Sequence, residues 1–119
     1  MNHVILIAED DELIRILVAQ YLQEAGFKVI EAFNAGHALA LINEGGRPID
    51  LIFTDVQMPG EMDGHALAQW LERHWPDIPV LLPSGSDRPF IDPVSKHRCF
   101  IPKPYALPEV ERHIRDLLP

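Results

Sequence analysis

Long hydrophobic runs are missing from this sequence, so no stretch is both long and apolar enough to cross a bilayer as a helix. The chain passes from Met1 straight into a strand-like stretch, without the basic segment, apolar core and small-residue cleavage site of a secretory signal. Cysteine occurs only as Cys99, which excludes an internal disulfide and fits a reducing cytoplasm. Basic charge is sparse too: 10 Lys and Arg stand against 18 Asp and Glu, for a formal net charge of -8. The basic residues are scattered instead of gathered in a run, so attraction to a phosphate backbone would be weak. A soluble, cytoplasmic protein is expected, with neither a membrane nor a nucleic acid as direct partner.

What is present suffices for a real core. At 119 residues with 47% apolar content, the chain is one domain's worth, and a single domain over residues 1–119 with no output domain is expected. Apolar runs of strand length recur at 3–8, 28–32, 49–54, 79–82 and 99–101, most of them nearly continuous in Val, Ile, Leu and Phe, as strands buried on both faces must be. Helical spacing lies between them. Over 12–25, Ile14, Leu17, Val18, Tyr21, Leu22 and Ala25 form one stripe that Gly26 ends; further helices fit 35–44, 64–75 and 107–118. Alternating strands and helices predict right-handed crossovers and a three-layer α/β domain built on a parallel sheet. The connection 86–96 carries Pro89 and Pro93, each of which removes a backbone donor, so the fourth helix should be short or irregular.

In such a sheet the site lies beyond the carboxyl ends of the strands, where the winding direction switches. Glu9 and Asp10 follow the first strand, Asp55 the third, Ser84 the fourth and Lys103 the fifth. Carboxylates crowded at one edge repel each other unless a cation shares the site, and oxygen ligands with open positions suit Mg2+. Taken singly, each signal has a plainer reading. An acidic run such as Glu9 to Glu12 usually starts a helix, which is the role assigned here to Asp11 and Glu12. An Asp after a strand is usually a turn residue, Ser84 beside Gly85 could be loop, Lys103 could be a surface lysine, and Phe100 by composition belongs in a core. The histidines form no pair at metal-ligand spacing, and Trp70 and Trp75 are assigned to packing on one helix, with Trp75 at its end before Pro76.

The segments "AEDD", "FTDVQMPG", "VLLPSG" and "FIPKPY", in this order on a five-strand pattern, resemble the receiver domain of bacterial response regulators of two-component systems, in its single-domain, chemotaxis-regulator-like form. The similarity covers essentially the whole chain. It implies a flavodoxin-like sheet of order 2-1-3-4-5 and a phosphoacceptor at Asp55. It further implies Mg2+ held by Asp10, Asp55, the backbone carbonyl of Gln57 and, through water, Glu9. Lys103 would pair first with Asp55 and then with the phosphoryl group. Ser84 would donate its hydroxyl to that group while Phe100 turns, and the Lys103–Pro104 peptide would be cis. Gln57 and Ser86 stand where the family tunes phosphoryl lifetime.

A sensor histidine kinase or a histidine phosphotransfer protein would be the donor, docking on the first helix at Leu13 and Ile16, outside the expected buried stripe. The protein would be a signalling phosphoacceptor and not an enzyme, beyond assisting its own phosphorylation and dephosphorylation, and would act on a downstream protein by contact. The sequence departs from the family at Pro83, where an aliphatic residue is usual, at the inserted Glu61, and in the short proline-bearing stretch after Ser84. A receiver-like interaction module that never turns over phosphate is the first alternative. A haloacid-dehalogenase-type phosphatase is the second, but it wants an Asp where Gln57 stands, and no cap segment is present.

Overall fold

A computed structural model describes residues 3–45, 48–55, 64–84 and 98–118. The elements are β1 (Val4–Ala8), α1 (Glu12–Glu24), β2 (Lys28–Ala32), α2 (Ala35–Glu44), β3 (Leu51–Thr54), α3 (Gly64–His74), β4 (Val80–Ser84), β5 (Arg98–Pro102) and α4 (Leu107–Leu117). All pairings are parallel, and the sheet runs β2-β1-β3-β4-β5. The expected three-layer α/β architecture and strand order are therefore what the chain adopts. The fourth helix expected over 86–96 lies outside the described residues, as do Pro89, Pro93 and Glu61. Among the described residues no helix is long and apolar enough to cross a membrane.

The near-continuous apolar strands follow from burial on both faces. Successive side chains of a strand point to opposite faces, so Leu6, Ala8, Ile52, Val80 and Leu82 enter one core with α2 and α3. Ile5, Ile7, Leu51, Phe53 and Leu81 enter the other with α1 and α4. Each fully buried Leu or Ile contributes about 1.5–3 kcal/mol relative to exposure, so the central strands anchor the domain. Helix starts are set locally. The Asp11 carboxylate accepts from Ile14 N–H at 3.1 Å, and Asn34 Oδ1 accepts from His37 N–H at 2.7 Å. Gly26, at φ +104°, supplies the left-handed turn after α1.

Two expectations need correction. In α1 the buried residues are Val18, Ala19 and Leu22, whereas Ile14 and Leu17, placed on the inward stripe by spacing, are 39% and 49% exposed. Trp75 lies just past α3 and is 48% exposed, while Trp70 packs against the α2–α3 core and stacks on His74. Pro83 is tolerated within β4 because, among the described residues, the ladder to β3 ends at Leu81 and Pro83 pairs with Ile101 of β5, an edge-like situation.

Candidate functional site

The order β2-β1-β3 means that the chain winds one way from β1 and the other way from β3, which opens a crevice beyond the carboxyl ends of these two strands. Backbone bonds carry the ladder one step further: Glu9 N–H donates to Ala32 O at 3.0 Å and Asp55 N–H to Ala8 O at 3.1 Å. Both acids are thus fixed as continuations of the sheet. Glu9 and Asp55 are each 6% exposed, and Asp10 faces solvent. One carboxylate oxygen from each of Glu9, Asp10 and Asp55 lies within 4.8 Å of the others.

From the end of β5, Lys103 Nζ donates to both carboxylate oxygens of Asp55, at 2.8 and 2.9 Å. The Lys103–Pro104 peptide is cis. Asp11 N–H donates to Glu9 Oε2 at 3.0 Å, so the residue that caps α1 also orients the first acid. Burial above all, helped by the charge of Asp55 and by the hydrogen bond and charge of Asp10, raises the Glu9 carboxyl to about 7 in spite of the opposing bond from the Asp11 N–H. Crowded acids of this kind, all hard oxygen donors and one of them solvent-facing, fit a divalent cation of the Mg2+ type.

Glu9, Asp10, Asp55 and Lys103 therefore come together from three strands. Ser84 closes β4 in register with Pro102, one residue before Lys103. Phe100 is half-buried against the α2–α3 core. Gln57 and Ser86 lie outside the described residues. Leu13 and Ile16 are exposed, at 67% and 46%. Beside them a groove of about 490 Å³ runs from Glu9 and Lys103 between Ile14, Leu17, Pro104 and Tyr105.

Two neighbours of the site were not singled out by sequence. Tyr105 meets Phe53 edge-on at 5.9 Å, and burial, with the charges of Glu9 and Asp55, pushes its phenol up to about 12. Arg15 Nη1 donates to the Glu9 carbonyl at 3.0 Å, and its Nε donates to Glu31 Oε1 at 3.2 Å. The signal for Arg15 was present: it precedes Val18, Ala19 and Leu22 at helical spacing, a charge on the inward row.

An acidic pocket at the switch point of a doubly wound sheet, with a lysine on its central aspartate, marks a class of α/β domains that gather their functional residues at one edge of the sheet. The chain belongs to the response regulator receiver domain family, whose sequence model matches residues 5–115. It is 31% identical over 117 residues to the response regulator receiver protein CpdR of Brucella abortus (strain 2308), covering 96% of this chain and 95% of that protein. It is 32% identical over 117 residues to the sensor kinase CckA of the same organism, covering 96% of this chain but only 12% of CckA. A crystal structure of the response regulator TrrA from Thermotoga maritima, in complex with Mg(2+)-BeF, superposes with a TM-score of 0.84 at 25% identity, covering 98% of this chain and 99% of that one. Two-component signalling is the family's business, and its receivers work with histidine kinases or phosphotransfer proteins.

Proposed function

We propose that the protein is a receiver acting on its own, in which Asp55 accepts a phosphoryl group from a phosphohistidine of a sensor histidine kinase or histidine phosphotransfer protein. The observation that carries this reading is the Lys103–Asp55 ion pair set inside the cluster of Glu9, Asp10 and Asp55. The match to the response regulator receiver protein CpdR supports the receiver reading. The reading places the protein in the cytoplasm, where the donor's phosphohistidine is made.

An Asp55 carboxylate oxygen forms a bond to phosphorus as the P–N bond to the donor imidazole breaks, and the electron pair returns to that nitrogen, giving an acyl phosphate. The attack brings two anions together, so charge cancellation is most of the task. Asp10, Asp55, the Gln57 carbonyl and, through water, Glu9 would hold Mg2+, which would supply positive charge to the transferring group. Lys103, a compact cation on a flexible stem, moves from the Asp55 carboxylate to a phosphoryl oxygen. Ser84 donates its hydroxyl to another oxygen and draws its loop inward while Phe100 turns, which couples local charge to a surface change read by a downstream protein. Gln57 and Ser86 tune how long the acyl phosphate survives. The domain assists its own phosphorylation and dephosphorylation and is otherwise a signalling protein. The donor docks on α1 at Leu13 and Ile16.

Intact-mass measurement after incubation with acetyl phosphate, with and without Mg2+, tests this reading. A single Mg2+-dependent phosphoryl adduct that disappears in Asp55→Ala is expected. Absence of an adduct from acetyl phosphate and from a phosphohistidine donor alike would overturn it in favour of an interaction module that does not turn over phosphate.

A further inference from the structure

Arg15 occupies the first inward position of α1, on the row completed by buried Val18, Ala19 and Leu22, and its side chain is only 15% exposed. A long charged side chain on an inward row is disfavoured unless its donors are used. Here they are used next to the acids. Nη1 holds the Glu9 carbonyl at 3.0 Å and Nε holds Glu31 on β2 at 3.2 Å. The Glu9 N–H is already bound to Ala32 O on β2. The Glu9 residue is thus gripped at its N–H by β2 and at its carbonyl by α1.

The carbonyl of Glu9 and the N–H of Asp10 belong to one rigid plane. Fixing that carbonyl fixes the direction in which the chain leaves the sheet and from which the Asp10 side chain departs. We propose that Arg15 is a positioning residue for cation binding, holding the Glu9–Asp10 peptide so that both carboxylates converge with that of Asp55. This rests on the reading that the three acids hold Mg2+. Glu31, on the neighbouring strand, balances part of the charge of the guanidinium without being needed for its bond to the Glu9 carbonyl.

A through-space effect and a positioning effect have opposite signs. Arg15 is a positive charge near a cation site, so its removal by electrostatics alone would tighten Mg2+ binding; loss of the grip on the peptide weakens it. The test is calorimetric titration of the whole chain with Mg2+ in wild type, Arg15→Gln, Arg15→Lys, Glu31→Gln and Asp10→Asn, together with amide hydrogen exchange in the metal-free proteins. Arg15→Gln is expected to weaken Mg2+ binding about 10-fold, as loss of an outer-shell partner does. Arg15→Lys, which keeps the charge and loses the planar fork, should also weaken it, and exchange at Asp10 and Asp11 should quicken in both before any Mg2+ is added. Glu31→Gln leaves the Glu9 carbonyl bond in place and should shift affinity by no more than about twofold. Unchanged or tighter binding in Arg15→Gln, with exchange at Asp10 and Asp11 as in wild type, would overturn the proposal. Should Arg15→Gln not fold, wild-type affinity in Arg15→Lys would overturn it equally. Indistinguishable binding by wild type and Asp10→Asn would instead overturn the cation reading itself.

Discussion

The two halves of α1 follow opposite rules. In the second half the apolar Val18, Ala19 and Leu22 turn to the sheet; in the first half Arg15 turns inward, and Leu13, Ile14, Ile16 and Leu17 face solvent. The difference lies in what each half meets. The second half covers Ile5, Ile7 and Leu51, apolar side chains of the central strands. The first half stands over the carboxyl edge, where backbone carbonyls and acids replace apolar surface, so a guanidinium is the better neighbour. Of these, Ile14 and Leu17 line, with Pro104 and Tyr105, a groove that opens at Glu9 and Lys103. One helix therefore serves the core at one end and the site and its proposed partner at the other.

Breaking the second half should have the largest effect on stability. Leu22 is fully buried, and Leu22→Ala is expected to cost about 2–5 kcal/mol in denaturant unfolding. Leu13→Ala, at 67% exposure, should cost no more than about 0.5 kcal/mol by the same measurement. A comparable loss in both would abolish the distinction between the two halves.

At the acidic edge the comparison sharpens with pH. The Glu9 carboxyl is raised from the usual 4.5 to about 7, so the folded state holds its proton more tightly than the unfolded chain does. That contribution is complete below the unfolded value, near 4.5, and is lost as pH rises through about 7. Metal-free protein should therefore lose on the order of 3 kcal/mol across this window, and Glu9→Gln should remove the slope. Unfolding free energies measured at several pH values, with chelator, would show it; a slope that survives in Glu9→Gln would place the titration elsewhere.

Lys103→Met comes next in size. It leaves Asp55 without the cation that holds both its oxygens, and with Lys103 partly exposed the cost should be about 1 kcal/mol, read from thermal melts. Yield of the phosphoryl adduct from acetyl phosphate should fall well beyond what that loss explains, if the same ammonium serves the transferred group as proposed.

The smallest effect on stability and the most selective on function is expected at the outward face of α1. Leu13→Ala with Ile16→Ala should leave the acetyl phosphate reaction as it is and slow transfer from a phosphohistidine donor by on the order of 5- to 10-fold. Equal transfer rates would remove this face from the docking surface.

How far the sequence reaches can be judged at particular residues. The strands were legible because Ile5 to Ala8 and Leu51 to Thr54 are buried on both faces and leave unbroken apolar runs. Glu9, Asp10, Asp55 and Lys103 were legible because each follows such a run, at the one edge a parallel sheet offers. Periodicity misplaced Ile14 and Leu17, since it counts apolar spacing without knowing where the sheet ends beneath the helix. Arg15 was passed over for the same reason: its partners, the Glu9 carbonyl and Glu31, come into reach only when β1 and β2 lie side by side. Residue type alone assigns Trp75 to packing, but α3 stops at His74, one residue short of it.

Asp55 is the proposed bearer of the phosphoryl group. Borohydride reduction of the Mg2+-dependent adduct converts a phosphorylated aspartate to homoserine, and peptide mass mapping locates it. Homoserine at position 55 alone, absent without Mg2+ and absent in Lys103→Met at short times, is the predicted result. Homoserine at position 10, or a reduced residue anywhere else, would rule out Asp55 as the acceptor.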